Sequence, residues 1–149
     1  LRYTEAMKNI AKTALVFHSA EQMFDLVDQV ENYPNFLPWC ASATIKEQTA
    51  EIMVAELNLA KGKLRHAFTT RNQRTRPNRI ELSLVEGPFK HFHGEWLFEA
   101  KGDTACQVSL NLSFDMGGKL TAMALGPIFT QVANTMVQAF CDRADEIYT

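Results

Sequence analysis

The sequence predicts an α+β domain in which a curved antiparallel sheet of about seven strands wraps a long C-terminal helix, with one or two short helices after the first strand. Three observations lead to this prediction. An apolar stripe that repeats every four residues runs from Lys119 to Ile147, which indicates one long helix. Six earlier stretches alternate apolar and polar residues, as half-buried strands do. Short turn sequences separate them, and such short connections join antiparallel neighbours.

The first strand and the first helix are predicted from residues 10–30. Residues 10–17 are apolar and β-branched, which favours a strand. Ser19 is a typical helix N-cap, and Gln22 three residues later completes a capping-box pattern. Apolar residues then continue at helical spacing, namely Met23, Phe24, Leu26, Val27 and Val30. We therefore expect a helix that begins directly after Ser19.

The alternating stretches predict the remaining strands as a meander. They are residues 43–47, 52–59, 63–70, 79–85, 91–99 and 105–115. Apolar side chains mark one face with a period of two, as at Phe92, Trp96 and Phe98. The connections hold turn-forming residues such as Gly62, Pro77 and Gly102, which is typical of tight antiparallel connections.

Residues 30–44 carry five large apolar groups where a surface loop would be polar. These groups are Tyr33, Phe36, Leu37, Trp39 and Cys40. Pro34 and Pro38 lie between them, fix the local backbone and interrupt any helix. Such an element either plugs the core or forms the rim of a pocket, and the sequence leaves both open.

The C-terminal helix has an apolar stripe wider than one narrow face, which implies contacts on more than one side. Pro127 has no N–H for the turn before it and clashes with the preceding carbonyl. We therefore expect a kink or a restart at Gly126 and Pro127. The helix is interpreted either as a bent core helix or as one whose N-terminal half is a mobile lid over a cavity. Both can hold together.

Composition favours one globular domain at residues 9–149, with residues 1–8 as an N-terminal extension. A chain of 149 residues that is 46% hydrophobic can bury a core. Its net charge of -2 argues against coating nucleic acid with the whole surface, so no DNA partner is expected, although a local basic patch is allowed. Three widely spaced cysteines suit free thiols in the cytosol. With no signal segment or bilayer-length apolar run, we expect a cytoplasmic protein that can lie against the inner membrane.

Positive charge is concentrated between Leu57 and Ile80, a stretch without Asp or Glu. It holds seven of the fifteen Lys and Arg residues: Lys61, Lys63, Arg65, Arg71, Arg74, Arg76 and Arg79. The first three are expected on one strand face, opposite Leu64, His66 and Phe68, and residues 71–79 are expected to cover the following turn. This ribbon is either a solvated sheet face or a contact for phosphate, on ribosomal RNA or anionic lipid.

No catalytic residue and no metal site are predicted. His91 and His93 lie on alternate residues of one strand with Glu95, but no further ligand has fitting spacing. The sequence has no nucleophile elbow, phosphate-binding loop, dinucleotide fingerprint or HExxH motif. A non-enzymatic protein is expected. A polyketide-cyclase-like enzyme, which would fold a chain by cavity shape, stays as an alternative for which no acid and base pair can be named.

Seven short motifs, in this order along the chain, resemble those of a known family. They are 13–16 (TALV), 19–23 (SAEQM), 33–40 (YPNFLPWC), 68–72 (FTTRN), 86–90 (EGPFK), 94–96 (GEW) and 124–129 (ALGPIF). Together they span nearly the whole domain. The chain resembles the START-like family of coenzyme Q-binding proteins, which is polyketide cyclase/dehydrase-like, and more narrowly its bacterial branch of ribosome association toxins.

The resemblance and the order of elements both imply a helix-grip fold with a cavity between the sheet and the last helix. One motif set serves several roles, so two functions are implied. The first is binding of ubiquinone or another isoprenoid lipid in support of respiratory electron transport, with transient membrane contact. The alternative is binding of the large ribosomal subunit so that the subunits fail to join. We expect the first.

No cofactor is required in either case. The residues expected to line the cavity are Tyr33, Phe36, Leu37, Trp39, Phe89, Phe92, Trp96, Leu125, Phe129 and Met136.

Overall fold

A computed structural model describes residues 7–148 of the chain. The strands within this range are β1 (Lys8–Val16), β2 (Cys40–Gln48), β3 (Ile52–Lys61), β4 (Leu64–Thr75), β5 (Arg79–Glu86), β6 (Phe89–Ala100) and β7 (Cys106–Met116). The helices are α1 (Ala20–Asp28), a 3₁₀ helix (Val30–Asn35) and α2 (Lys119–Ile147). Most of the predicted extension 1–8 lies outside the described residues, and its last residue, Lys8, begins β1.

The strands form one antiparallel sheet in the order β1-β7-β6-β5-β4-β3-β2. Neighbours are consecutive in sequence except for β1, which pairs with β7 from Lys8 opposite Phe114 to Val16 opposite Cys106. The sheet curves around α2, with α1 and the 3₁₀ helix beside it. The predicted α+β helix-grip class is therefore confirmed.

The predicted capping box at the start of α1 is present. The Ser19 hydroxyl oxygen accepts a hydrogen bond from the Gln22 backbone N–H at 3.1 Å, and the Gln22 side chain accepts one from the Ser19 N–H at 2.9 Å. These two bonds satisfy backbone donors that a helix N-terminus leaves free. Met23 and Phe24 follow on the buried face of the helix and anchor it to the sheet.

Helix α2 spans Lys119–Ile147, the range that its apolar stripe predicts. It runs through Pro127 as one helix, so the expected restart at this point is wrong. Leu125 and Phe129, on either side of the proline, are both buried against the sheet. Tertiary packing of this kind holds a helix together where the local sequence disfavours it.

Strand β4 is longer than its sequence suggests. The prediction ended it at residue 70 and assigned 71–79 to a turn, but β4 continues to Thr75 and the turn is limited to residues 76–78. Gln73 pairs with Ile52 of β3, and Thr75 pairs with Arg79 of β5. The continuation to Thr75 was missed because polar residues stand on both faces of the strand, which hides the period of two.

The core lies between the concave face of the sheet and α2. Its most enclosed large side chains are Phe24, Phe114 and Phe140. Gly94 of β6 leaves room for the Leu112 side chain of β7, because a Cβ at this position would lie 2.3 Å from Cδ2 of Leu112. Among residues 7–148, no helix combines the length and the apolar character that crossing a bilayer requires.

Candidate functional site

A cavity lies between the concave face of the sheet and α2, with about 670 Å³ of space including its opening to solvent. Five strands, both α-helices and the 3₁₀ helix contribute to its wall. The lining residues are Val27, Asp28, Val30, Tyr33, Ala55, Leu57, Phe68, Thr70, Asn72, Ile80, Leu82, Phe92, Trp96, Leu110, Leu112, Phe129 and Met136. A concave, mostly apolar site with a few polar groups is typical of small-molecule binding.

Five of the ten residues expected to line a cavity line this one: Tyr33, Phe92, Trp96, Phe129 and Met136. Phe89 and Leu125 line a smaller adjoining cavity of about 250 Å³, which also contacts Phe129. The period-two pattern identified Phe92 and Trp96, and the wide apolar stripe of the last helix identified Leu125, Phe129 and Met136, because such patterns reveal which side chains face inward.

The proline-rich segment contributes to the core as well as to the cavity. Leu37 is buried, and Phe36 packs edge-on against Tyr33 and Phe140. Leu37 and Phe36 were expected to line the main cavity, but neither does. Trp39 lines a separate groove beside Lys61. The Tyr33 hydroxyl donates to the Val27 carbonyl, which ties the 3₁₀ helix to α1.

Aromatic side chains close one end of the cavity around Phe129. Its ring centroid lies 4.8 Å from those of Phe89 and Phe114, 6.0 Å from that of Phe68 and 6.1 Å from that of Phe92. All four contacts are edge-on, the arrangement that aromatic rings prefer. This end of the cavity is therefore walled mainly by aromatic rings.

The opposite part of the wall is polar and was not predicted. Thr70 and Asn72 of β4 face the cavity and are only 7% and 6% exposed, and 2.7 Å separate Thr70 Oγ1 from Asn72 Oδ1. Farther along β4, Arg74 Nη1 donates to both carboxylate oxygens of Asp28, at 3.1 and 2.9 Å. The prediction placed Thr70 at the end of a strand and assigned Asn72 and Arg74 to an exposed turn, because polar residues in sequence are usually exposed.

Burial sets the acid–base properties of the groups around the site. Burial raises the pKa of the Tyr33 hydroxyl well above its usual range, and the negative charge of Asp28 adds to this. Burial also raises the pKa of the Cys40 and Cys106 thiols to about 11. Nucleophilic cysteines need a lowered pKa, so neither thiol is activated near neutral pH. The described residues contain no group of three or more His, Cys, Asp and Glu side chains placed to hold a metal ion.

Three of the seven basic residues are paired inside the protein. Arg74 pairs with Asp28, and Arg76 pairs with Asp25 and lies 3.6 Å from Asp28. Arg79 Nη2 lies 2.9 Å from Glu81 and 2.7 Å from Glu95. The expected positive ribbon is therefore wrong for Arg74, which is buried, whereas Arg76 and Arg79 are about half exposed and carry carboxylate partners. Their partners lie on α1, β5 and β6, so the acid-free stretch of sequence did not reveal them.

The expectation that Lys61, Lys63 and Arg65 share one strand face is also wrong. Lys61 ends β3 opposite Leu64, whereas Arg65 pairs with Ala60 and faces the other side. Lys63 lies in the turn between the strands, after Gly62 with its φ of 58°. Paired residues in antiparallel strands share a face, so Lys61 lies on the same face as Leu64. Arg71 is exposed on the outer face, well away from this turn.

Lys61, Lys63 and Arg65 instead share an end of the sheet with two further cations. The strand order places the β3–β4 turn, the β5–β6 turn and the start of α2 at one end, and the Gly117 N–H donates to the Pro88 carbonyl there at 3.0 Å. We call the exposed residues Lys61, Lys63, Arg65, Lys90 and Lys119 the basic end. Within residues 7–148, none of the five forms an ion pair. The N-terminus of α2 adds partial positive charge.

Comparison with known proteins gives matches across the chain. The model of the family described as "Polyketide cyclase / dehydrase and lipid transport" matches residues 16–141. A ribosome association toxin, RatA, of Pseudomonas aeruginosa is 48% identical over 94% of this chain and 97% of its own length. RatA of Escherichia coli K12 is 43% identical over 96% of this chain and 90% of its own length.

The chain is also similar to a more distant relative and to a solved structure. The mitochondrial coenzyme Q-binding protein COQ10 homolog B of Xenopus laevis is 27% identical over 87% of this chain and 55% of its own length. The crystal structure of the Zhui aromatase/cyclase from Streptomyces sp. R1128 superposes with a TM-score of 0.84, covering 96% of each chain at 17% identity. At this identity the structural likeness shows the fold alone.

Proposed function

We propose that this chain, which belongs to the polyketide cyclase/dehydrase and lipid transport family, associates with the ribosome. Its bacterial relatives at 43% and 48% identity are named ribosome association toxins. The comparisons thus favour the alternative function over the first expectation, quinone binding for respiration. The coenzyme Q-binding relative is only 27% identical and matches over 55% of its length.

The basic end is the observation that carries this proposal. Five exposed cations lie at this end of the sheet, on four elements and one turn, and none of them forms an ion pair within residues 7–148. Ribosomal RNA presents phosphates, and clustered Lys and Arg side chains bind phosphates by releasing condensed counterions. Leu120 and Met123 beside Lys119 are 82% and 71% exposed, which provides apolar contact area next to the charges.

The bound subunit is the large one in our proposal, and the bound chain keeps the two subunits apart. Sedimentation of the purified protein with separated large and small bacterial subunits tests this at low salt. We expect the chain to sediment with the large subunit. When small subunits are added, we expect it to reduce the increase in light scattering that accompanies subunit joining. Absence from both pellets at 50 mM salt, or unimpaired subunit joining at saturation, contradicts the proposal.

Two matched triple variants locate the contact. The basic-end variant is Lys61→Ser, Lys63→Ser and Lys119→Ser. The control variant is Lys12→Ser, Lys46→Ser and Lys101→Ser, which removes the same charge outside the basic end, from β1, β2 and the β6–β7 connection. We expect the basic-end variant to stay in the supernatant and the control variant to sediment like the unchanged protein.

A second candidate function is favoured by the cavity. Its wall is mostly apolar, so we propose that it holds a hydrophobic molecule, with ubiquinone or another isoprenoid lipid as the leading class. Mass spectrometry of organic extracts from natively purified protein tests this. We expect one such molecule in near-stoichiometric amount, and repeated extraction of none contradicts it. A cyclase-like reaction has less support, because the likeness to the aromatase/cyclase extends to the fold alone.

A further inference from the structure

Asn72 stands out because its amide is buried in a wall that is otherwise mostly apolar. It pairs with Met53 on β3 and with Leu82 on β5, and paired residues of antiparallel strands share a face. Its side chain therefore faces the cavity between apolar neighbours, and only 6% of the residue is exposed. Burying an amide in apolar surroundings is costly unless its hydrogen bonds are made.

The hydrogen bonds of Asn72 do not account for its amide nitrogen. An asparagine side chain has one acceptor oxygen and two N–H donors. Within the described residues its side chain makes one hydrogen bond, in which Oδ1 accepts from the Thr70 hydroxyl at 2.7 Å. Among the described residues, Arg74 Nε is the only side-chain nitrogen or oxygen that is inaccessible to solvent and has no hydrogen-bond partner. Because Nδ2 of Asn72 also lacks a partner there but is not such an atom, it is accessible from the cavity and free to donate.

The same conclusion holds if the amide is turned over, a choice that the hydrogen-bond pattern decides. Nδ2 would then donate to Thr70 Oγ1, and the Thr70 hydroxyl would become the free donor. In both orientations the pair of Thr70 and Asn72 keeps at least one unused donor on the cavity side.

We propose that Asn72, together with Thr70, recognises the ligand by donating a hydrogen bond to a neutral oxygen acceptor, a ketone, quinone or hydroxyl oxygen, on an otherwise apolar molecule. This inference rests on the second candidate function, ligand binding in the cavity. The only charged groups that approach the wall are Asp28 and Arg74, among the described residues, and these neutralise each other. A charged ligand would therefore lack a partner, whereas a neutral acceptor satisfies the free donor.

A pair of probes with nearly the same shape tests the proposal. One is 2,3-dimethyl-1,4-naphthoquinone, whose blocked ring does not alkylate thiols, and the other is 2,3-dimethylnaphthalene, which has no oxygen. The variant Asn72→Leu keeps the side-chain shape and removes the donor. We expect it to bind the quinone roughly 3- to 10-fold more weakly than the unchanged protein does, the effect of one neutral hydrogen bond. Its affinity for the hydrocarbon should be equal or higher.

A second measurement does not depend on the variant. In the unchanged protein, the side-chain NH₂ signals of Asn72 in nitrogen–proton NMR spectra should shift with the quinone and much less with the hydrocarbon. Equal quinone affinity of both proteins, or equal NH₂ shifts with both probes, overturns the role of Asn72 and leaves cavity binding intact. If neither probe binds, cavity binding itself fails, and the two failures are thereby distinguished.

Discussion

Arg74 and Asp28 form a buried ion pair across 46 residues of sequence, with Nη1 at 3.1 and 2.9 Å from the two carboxylate oxygens. Their side chains are 7% and 11% exposed. The pair joins β4 to the last residue of α1 at the polar part of the cavity wall, and Nη2 of Arg74 also donates to the Thr49 and Ala50 carbonyls. Arg74 thus connects β4 to α1 and to the β2–β3 turn. Its charge is compensated by Asp28, so it is not available to bind RNA.

Removing one partner of this pair is expected to lower the free energy of unfolding strongly. Asp28→Asn leaves the guanidinium buried without a countercharge, and breaking a buried pair in this way costs about 3–5 kcal/mol. The free energy of unfolding in urea measures the loss. Glu56→Gln is the control, because Glu56 pairs with Lys46 at 3.7 Å in a more exposed position, where such pairs contribute at most about 1 kcal/mol. Equal, small losses in both variants would refute the structural role of Arg74.

Pro127 is expected to weaken the part of α2 before it. A proline within a helix removes one backbone hydrogen bond, so amide hydrogen exchange should be faster in residues 119–126 than in 128–145. Pro127→Ala should slow exchange in the earlier part and raise the free energy of unfolding by up to about 3 kcal/mol. Bound ligand should narrow the difference in exchange if this segment is a lid.

Gly126→Ala is the matched control for this helix. A Cβ at Gly126 meets no atom within 4 Å, so this change raises helix propensity by about 1 kcal/mol without restoring a hydrogen bond. It should stabilise the helix less than Pro127→Ala does. Uniform protection across α2 in the unchanged protein would argue against a mobile segment.

Stability should fall in alkaline solution. Burial raises the pKa of Cys106 from its ordinary value of 9.0 to about 11, so the folded state holds this proton more tightly than the unfolded chain does. The resulting stabilisation is complete below pH 9 and is lost as the pH rises through about 11. Urea unfolding between pH 8 and 11 should show a shallower decline for Cys106→Ala. The same pH dependence in both proteins would be evidence against a buried, protonated thiol.

The periodic parts of this chain could be predicted from sequence. The stripe along α2 and the capping box at Ser19 and Gln22 fixed two helix positions, because both depend on residues close in sequence. The alternation in β6 identified Phe92 and Trp96 as inward-facing, and both line the cavity. Local patterns of this kind reveal which face of an element is buried.

The polar part of the site could not be predicted, because it depends on partners far along the chain. Whether Arg74, Arg76 and Arg79 are ion-paired is decided by carboxylates on α1, β5 and β6, which the acid-free stretch 57–80 does not contain. Asn72 was likewise hidden, since β4 carries polar residues on both faces and was expected to have ended before it. The basic end emerges only from the strand order.

The salt dependence of binding to the large ribosomal subunit tests the central claim most directly. Each phosphate contact contributes about 0.7–0.9 to the slope of the logarithm of affinity against the logarithm of salt concentration. The basic-end variant removes three cations, so its slope should be shallower than that of the unchanged protein by roughly 2–3 if each contacts one phosphate. The control variant should keep the full slope. Equal slopes in all three proteins, or an equal loss in both variants, would contradict ribosome binding through the basic end.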